Sequence, residues 1–295
     1  MKEDIINSIP DAPALNRREF LVTTILAAGI YGAAVEPIAA QTKITTDGKG
    51  LVAGEVKIPV ADGLMPAYRA MPDKKGGKFP IVIVIHEIFG VNEWIQDVCR
   101  RFAKLGCMAV APALYARQGE VKDLRDPREI NMKIFSQMPD TQSLADIDSA
   151  VKWAGKNGGK EKKLSITGFC WGGRTVWMYA AHNPKVKAGA AWYGRVVPTP
   201  NSPVNKAQPT TPMDHVKELK VPVIGFFGGH DKGISLDGVG RFENELAKYG
   251  SGSEIVIYPN AEHGFHADYR ASYNKEASED AWAKLRSWFK NHGAF

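Results

Sequence analysis

The sequence predicts an α/β protein with a mostly parallel central sheet and helices on both faces, and three observations lead there. Pro80–His86 contains I-V-I-V-I without a polar interruption, and a strand apolar on both faces belongs inside a parallel sheet covered on each side. Val221–Gly228 is a second run of the same kind. Around them, strand-like and helix-like stretches alternate in the order that builds βα units. The 295 residues, with 44% hydrophobic and 24% charged, have ordinary soluble globular composition, and no internal repeat or low-complexity segment divides the chain.

Residues 1–40 read as an export signal. Asn16-Arg17-Arg18-Glu19-Phe20-Leu21 is a twin-arginine pair ahead of the apolar run Leu21–Ala34, and Pro37–Gln41 supplies small residues near a cut. The expectation is export of the folded chain by the twin-arginine translocation machinery, to the periplasm or out of the cell. The rival reading, a membrane anchor left uncleaved, is disfavoured because the apolar run is short for a bilayer span. Cys99, Cys107 and Cys170 are too few for a disulfide framework. The net charge of +6 lies wholly beyond the signal, which has three basic and five acidic residues. It is spread over stretches such as Lys160–Lys163 with no interleaved aromatics, so it reads as a solvated surface and excludes a nucleic-acid footprint.

Residues 41–53 are polar and glycine-containing, which suits a linker, and a single domain is expected over 54–295. It opens with strands Gly54–Val60 and Met65–Met71, joined by the hairpin signal Ala61-Asp62-Gly63. After strand Pro80–His86 come helix Trp94–Leu105, strand Cys107–Ala111, and helices Pro127–Met138 and Leu144–Lys156, with Asp140 or Thr141 as caps. Strand Leu164–Phe169 leads into a helix running to Ala181, followed by strand Ala188–Trp192. The Pro-, Asn- and Thr-rich stretch Val196–Met213 reads as a loop or small lid near the strand ends, where such sheets bind ligands. Strand Val221–Gly228, helix Leu236–Tyr249, strand Glu254–Tyr258 and an amphipathic helix over Glu276–Lys290 complete the domain.

Gly168-Phe169-Cys170-Trp171-Gly172 is G-x-C-x-G, the strand-to-helix nucleophile elbow with cysteine in place of serine. The glycines are needed because strand and helix approach too closely there for side chains. Taken alone, the motif fits a buried structural cysteine equally well. In an α/β-hydrolase the acid and the histidine follow the nucleophile in that order, each after a later strand. Asp231 follows the strand Val221–Gly228 and His263 follows Glu254–Tyr258, so type, order and position agree. The expected roles are Cys170 as attacking thiolate, His263 taking or stabilising its proton, and Asp231 fixing the tautomer of His263. The oxyanion hole is expected from the backbone N–H groups of Trp171 and Ile88.

These motifs resemble the dienelactone hydrolase family, the carboxymethylenebutenolidases: H-E-I-F-G-V-N at His86–Asn92, A-L-Y-A-R-Q at Ala113–Gln118, G-F-C-W-G-G, G-G-H-D and E-H-G-F. The resemblance implies an α/β-hydrolase fold, no metal or organic cofactor, and hydrolysis of a small-molecule lactone or ester through a cysteinyl acyl-enzyme. It also implies that Glu87 rests against an arginine and shifts on substrate binding to deprotonate the Cys170 thiol. Of the two arginines that anchor a substrate carboxylate in that family, Arg128 resembles the first. The second has His266 and Ala267 in its place, and the next arginine is Arg270. Met132 stands where the family has a substrate-contacting tyrosine, and Trp192 replaces another tyrosine before Tyr193. Trp192 and Tyr193 are nevertheless expected to line the substrate site, and Arg195 to be a surface residue. Two rival classes remain: a broader carboxylesterase or thioesterase, and a non-catalytic binding protein on the same fold. A metal hydrolase is disfavoured because His86-Glu87 lacks the second histidine of H-E-x-x-H.

Overall fold

Side chains alternate along strand β3 (Phe79–Ile85), and this alternation divides the core into two layers. Ile81, Ile83 and Ile85 pack with Ile147, Ala150, Val176, Trp177 and Phe242 on one face; Val82 and Val84 pack with Val98, Phe102, Leu285 and Phe289 on the other. A strand made of β-branched apolar residues can satisfy both faces only in this way. The computed structural model describes residues 43–119, 121, 124, 126, 129–130, 133–199 and 204–295. The signal-like residues 1–40, Arg128 and Met132 lie outside the described residues.

The sheet begins with the hairpin of β1 (Leu51–Val60) and β2 (Gly63–Pro72), antiparallel in the register Val60↔Gly63 that the Ala61-Asp62 turn imposes. β1 starts three residues earlier than expected because half-buried Leu51 and Val52 pair with Pro72 and Met71. Helix α1 (Glu93–Lys104), capped by Asn92, then leads to β4 (Met108–Pro112). The expected helix over Pro127–Met138 is interrupted. Glu129, Ile130 and Lys133 are helical, and the chain then tightens into a 3₁₀ turn at Phe135–Gln137.

Helix α2 (Asp140–Lys156) corrects the capping expectation. Pro139 is the cap residue, while Asp140 is the first helical residue and has another partner, described below. Then follow β5 (Gly159–Phe169), α3 (Trp171–His182), β6 (Ala188–Trp192), a 3₁₀ turn at Pro212–His215, β7 (Val223–Gly228), α4 (Leu236–Tyr249), β8 (Glu254–Tyr258) and α5 (Lys275–Asn291). The strand order is β1-β2-β4-β3-β5-β6-β7-β8, parallel from β4 onward. Helices α2, α3 and α4 cover one face, and α1 and α5 the other. This is the α/β-hydrolase fold. One consequence positions the site: the segments leaving β3, β5, β6, β7 and β8 all emerge at the same end of the sheet.

The outer layer depends on large interlocking rings. Trp177 of α3 meets Phe242 of α4 edge-on with centroids 4.9 Å apart, and Phe242 has no exposed surface. Phe242→Ala should therefore lower the unfolding free energy by about 3–5 kcal/mol, read from urea denaturation at unchanged m-value.

Candidate active site

Cys170 is the single residue between β5 and α3. Its backbone adopts φ 56°, ψ −116°, a left-handed conformation unusual for a residue with a side chain. The turn can close because nothing projects from its glycines. A Cβ on Gly168 would sit 2.4 Å from the Gly172 carbonyl oxygen, and one on Gly172 would sit 2.5 Å from that of Ile85. Gly173 and Gly194 press together in the same way beneath the β6 loop. The Cys170 N–H donates to the Trp192 carbonyl at 3.0 Å, which locks the elbow to β6. The thiol is thereby held at the N-terminal end of α3, where the helix dipole favours negative charge. Cys99 and Cys107 are buried in the core, and burial raises both thiols, Cys107 to about 12.

His263 and Asp231 come from the loops after β8 and β7. The imidazole Nδ1 donates to Asp231 Oδ2 at 2.7 Å, while Asp231 Oδ1 accepts the N–H groups of Gly233 and Ile234 at 2.8 and 3.2 Å. The carboxylate is thus held on both sides, and its charge fixes the ring. Burial lowers the His263 pKa, but the negative charge of Asp231, and then that of Cys170, outweigh burial and push it up to about 10. The tyrosine ring of Tyr193 packs 5.1 Å from His263.

Glu87 follows β3 and is completely buried. Its Oε2 accepts from Arg270 Nη2 at 2.8 Å and from the Tyr269 hydroxyl at 2.5 Å, while Oε1 takes no hydrogen bond among the described residues. Arg270 is also buried, with its guanidinium 5.3 Å from the centre of the Phe89 ring. Desolvation opposes its charge, but Glu87 chiefly, with Tyr269, Tyr193 and Cys170 adding, raises its pKa well above the ordinary value. Gly264, at φ 78°, makes room for this guanidinium, since a Cβ there would lie 2.7 Å from Arg270 Nη1.

The structure therefore gathers Cys170, Asp231, His263, Glu87, Ile88, Trp171 and Tyr193 at one end of the sheet. Ile88 lies half-buried in the turn after β3, and Trp171 opens α3. Tyr193 belongs to the cluster as a buried residue at φ 37°, its hydroxyl without a hydrogen-bond partner among the described residues and its pKa raised well above the ordinary value by burial and then Glu87. Trp192 is a correction. As the last residue of β6 it points into the layer beneath, fully buried, with Nε1 donating to Thr167 Oγ1 at 3.0 Å and the ring stacked 4.2 Å from His266. Sequence patterning could not tell which way the side chain at the strand end would turn. Arg195 is half-buried.

Two features lay beyond the sequence reading. Arg270 and Tyr269 hold Glu87, and only the position of Arg270 as the next arginine past the family pattern hinted at it. Arg174 of α3 is buried and clasps Asp140 through both carboxylate oxygens at 2.7 and 2.8 Å, and it also donates to the Thr210 carbonyl at 2.6 Å. The elbow helix, the start of α2 and the segment 204–213 are tied together through that one guanidinium. Among the described residues, no group of three or more His, Cys, Asp and Glu side chains is arranged to hold a metal ion.

The profile of the dienelactone hydrolase family matches residues 65–293. The chain belongs to that family. Among curated relatives, a "putative carboxymethylenebutenolidase" of Methylorubrum extorquens is 49% identical over 289 residues, 98% of this chain and 97% of that one. A protein of the same name from Escherichia coli K12 is 43% identical over 263 residues, covering 89% and 95% of the two chains. A crystal structure of a "putative dienelactone hydrolase" from Klebsiella pneumoniae superposes with a TM-score of 0.78 at 45% identity, covering 81% of this chain and 98% of that chain. This dienelactone hydrolase family member is accordingly a hydrolase.

The histidine–carboxylate pair has a measurable signature. Its folded-state pKa of about 10 exceeds the ordinary 6.5, so the protonated ring stabilises the fold fully below about pH 6.5. That contribution is lost as the pH rises through 10. Compared with Asp231→Asn, the wild-type protein should lose unfolding free energy across this window, measured by urea titration at stepped pH.

Proposed function

We propose that this protein hydrolyses a lactone or ester bond of the dienelactone type through a Cys170-His263-Asp231 triad and a cysteinyl acyl-enzyme. The observation that carries this reading is a thiol on a left-handed strand-to-helix elbow, beside a histidine bound to a buried aspartate. Cys170 attacks the carbonyl carbon as thiolate. The oxyanion so formed faces the N–H groups of Trp171 and Ile88, and collapse expels the alkoxide or enolate, which takes its proton from His263. Water, giving a proton to the now neutral His263, then attacks the thioester; Cys170 leaves as thiolate and takes its proton back from Glu87, and the acid is released.

A histidine with a pKa near 10 already carries its proton at neutral pH. Part of that rise comes from the thiolate of Cys170 itself, so the protonated ring is suited to stabilising the thiolate once formed and to protonating the leaving group, and the thiol proton goes first to a separate base. Glu87 is that base, in keeping with the family resemblance. At rest its carboxylate is held by Arg270 and Tyr269. A substrate carboxylate arriving at Arg270 would compete for the guanidinium and release Glu87 toward Cys170. This favours an anionic substrate, with Arg128 as the expected second contact. The dienelactone-type reading is preferred to a general esterase because this exchange needs an anion. The N-terminal sequence adds export by the twin-arginine route as part of the proposal.

Cys170→Ala should abolish hydrolysis with the fold retained by circular dichroism, and surviving turnover would remove the elbow from the mechanism. Glu87→Gln should lower kcat by about 100-fold or more. Paired lactones and esters, with and without a carboxylate, should differ in kcat/KM in favour of the anionic member, and Arg270→Gln should erase the difference.

A further inference from the structure

His86 is completely buried and lies between strand β3 and the base Glu87. The hydrolysis route gives it no task, yet both ring nitrogens are used. Nε2 accepts the Leu114 N–H at 3.2 Å, which leaves the ring proton on Nδ1, and Nδ1 donates to the Glu87 carbonyl at 2.6 Å. Burial lowers its pKa to about 4, an effect that the bond to Glu87 offsets only in part, so the ring is neutral and keeps one tautomer at neutral pH.

The Glu87 carbonyl and the Ile88 N–H are the two ends of one peptide group. That group is planar and trans, so its oxygen and its N–H point in opposite directions, and fixing one fixes the other; the Gly90 N–H reaches the same oxygen at 3.2 Å, and the His86 bond is the shorter. A hydrogen bond to the carbonyl also polarises the amide and strengthens its N–H as a donor. The Ile88 N–H donates to no carbonyl among the described residues and remains available. The same imidazole stacks on the indole of Trp171, centroids 5.9 Å apart at 27°, and meets Tyr115 edge-on at 4.8 Å. One ring thus touches both segments that supply oxyanion donors.

We infer that His86 is the positioning residue of the oxyanion hole: its Nδ1–H aims the Glu87–Ile88 peptide at the developing oxyanion, and its ring face sets the distance to Trp171. The inference rests on the acyl-transfer reading above. A core histidine of purely packing value would need neither a single tautomer nor contact with both donor segments.

Two reactions of the same thiol separate positioning from packing. Hydrolysis of the carboxylate-bearing ester mono-p-nitrophenyl glutarate needs an oxyanion hole, whereas alkylation of Cys170 by iodoacetate, also an anion, needs only the thiolate. His86→Phe should lower kcat for the ester by about 10–100-fold at little-changed KM. It should leave the iodoacetate rate near that of the wild type, and His86→Gln, which keeps a donor and an acceptor, should recover much of the ester loss. Equal ester turnover in His86→Phe, or a parallel fall of both reactions without recovery in His86→Gln, would overturn the inference. Should His86→Phe not fold, nitrogen-15 NMR of the wild-type imidazole decides the point. The neutral Nδ1–H tautomer is expected near pH 7, and the Nε2–H tautomer would overturn the inference. Full ester hydrolysis by Cys170→Ala would instead remove the acyl-transfer reading itself.

Discussion

The site depends on backbone approaching backbone where no side chain intervenes. Gly168, Gly172 and Gly173 let the start of α3 wedge between the segments leaving β3 and β6, at distances that a methyl group at any of the three would violate. That wedge sets the elbow between the segments that carry Glu87 and Tyr193, and Cys170 takes a positive φ. Such a conformation costs on the order of 1–3 kcal/mol and persists only where the surroundings over-determine it. Here they do so through the Cys170–Trp192 backbone bond, the Arg174 clasp on α2, and apolar packing on both faces of the sheet.

Two buried ion pairs flank the thiol, and they differ in kind. The His263–Asp231 pair is a fixed support: Asp231 is locked by backbone N–H groups, and its charge holds the imidazole in place. Among the described residues the Glu87–Arg270 pair is held by side chains, with one carboxylate oxygen without a partner. Removing one member of such a buried pair would leave an uncompensated charge costing about 3–5 kcal/mol. In the mechanism proposed above, an incoming anion takes the place of the carboxylate at Arg270 and Glu87 becomes neutral by taking the thiol proton, so that neither charge is left uncompensated.

Much of the fold was legible in the sequence, for a physical reason. Ile81–Ile85 and Val223–Gly228 are apolar on both faces, so they had to be central, and the glycines around Cys170 had to mark a close approach. The positions of Asp231 and His263 followed because parallel strands bring their following loops to one edge. What escaped was long-range side-chain geometry. Nothing local says that Asp140 would pair with Arg174 instead of capping its own helix, or that Trp192 would turn under the sheet. Arg270 reaches Glu87 only because Gly264 clears its path, a relation visible in three dimensions alone.

The proposed mechanism requires Cys170 to become acylated during turnover. Mass spectrometry of protein quenched in acid during hydrolysis of a slow aryl ester tests it most directly. The account predicts an added acyl mass on the peptide containing Cys170, formed and lost at rates compatible with kcat. Turnover with no adduct, or with the adduct on another residue, would contradict it.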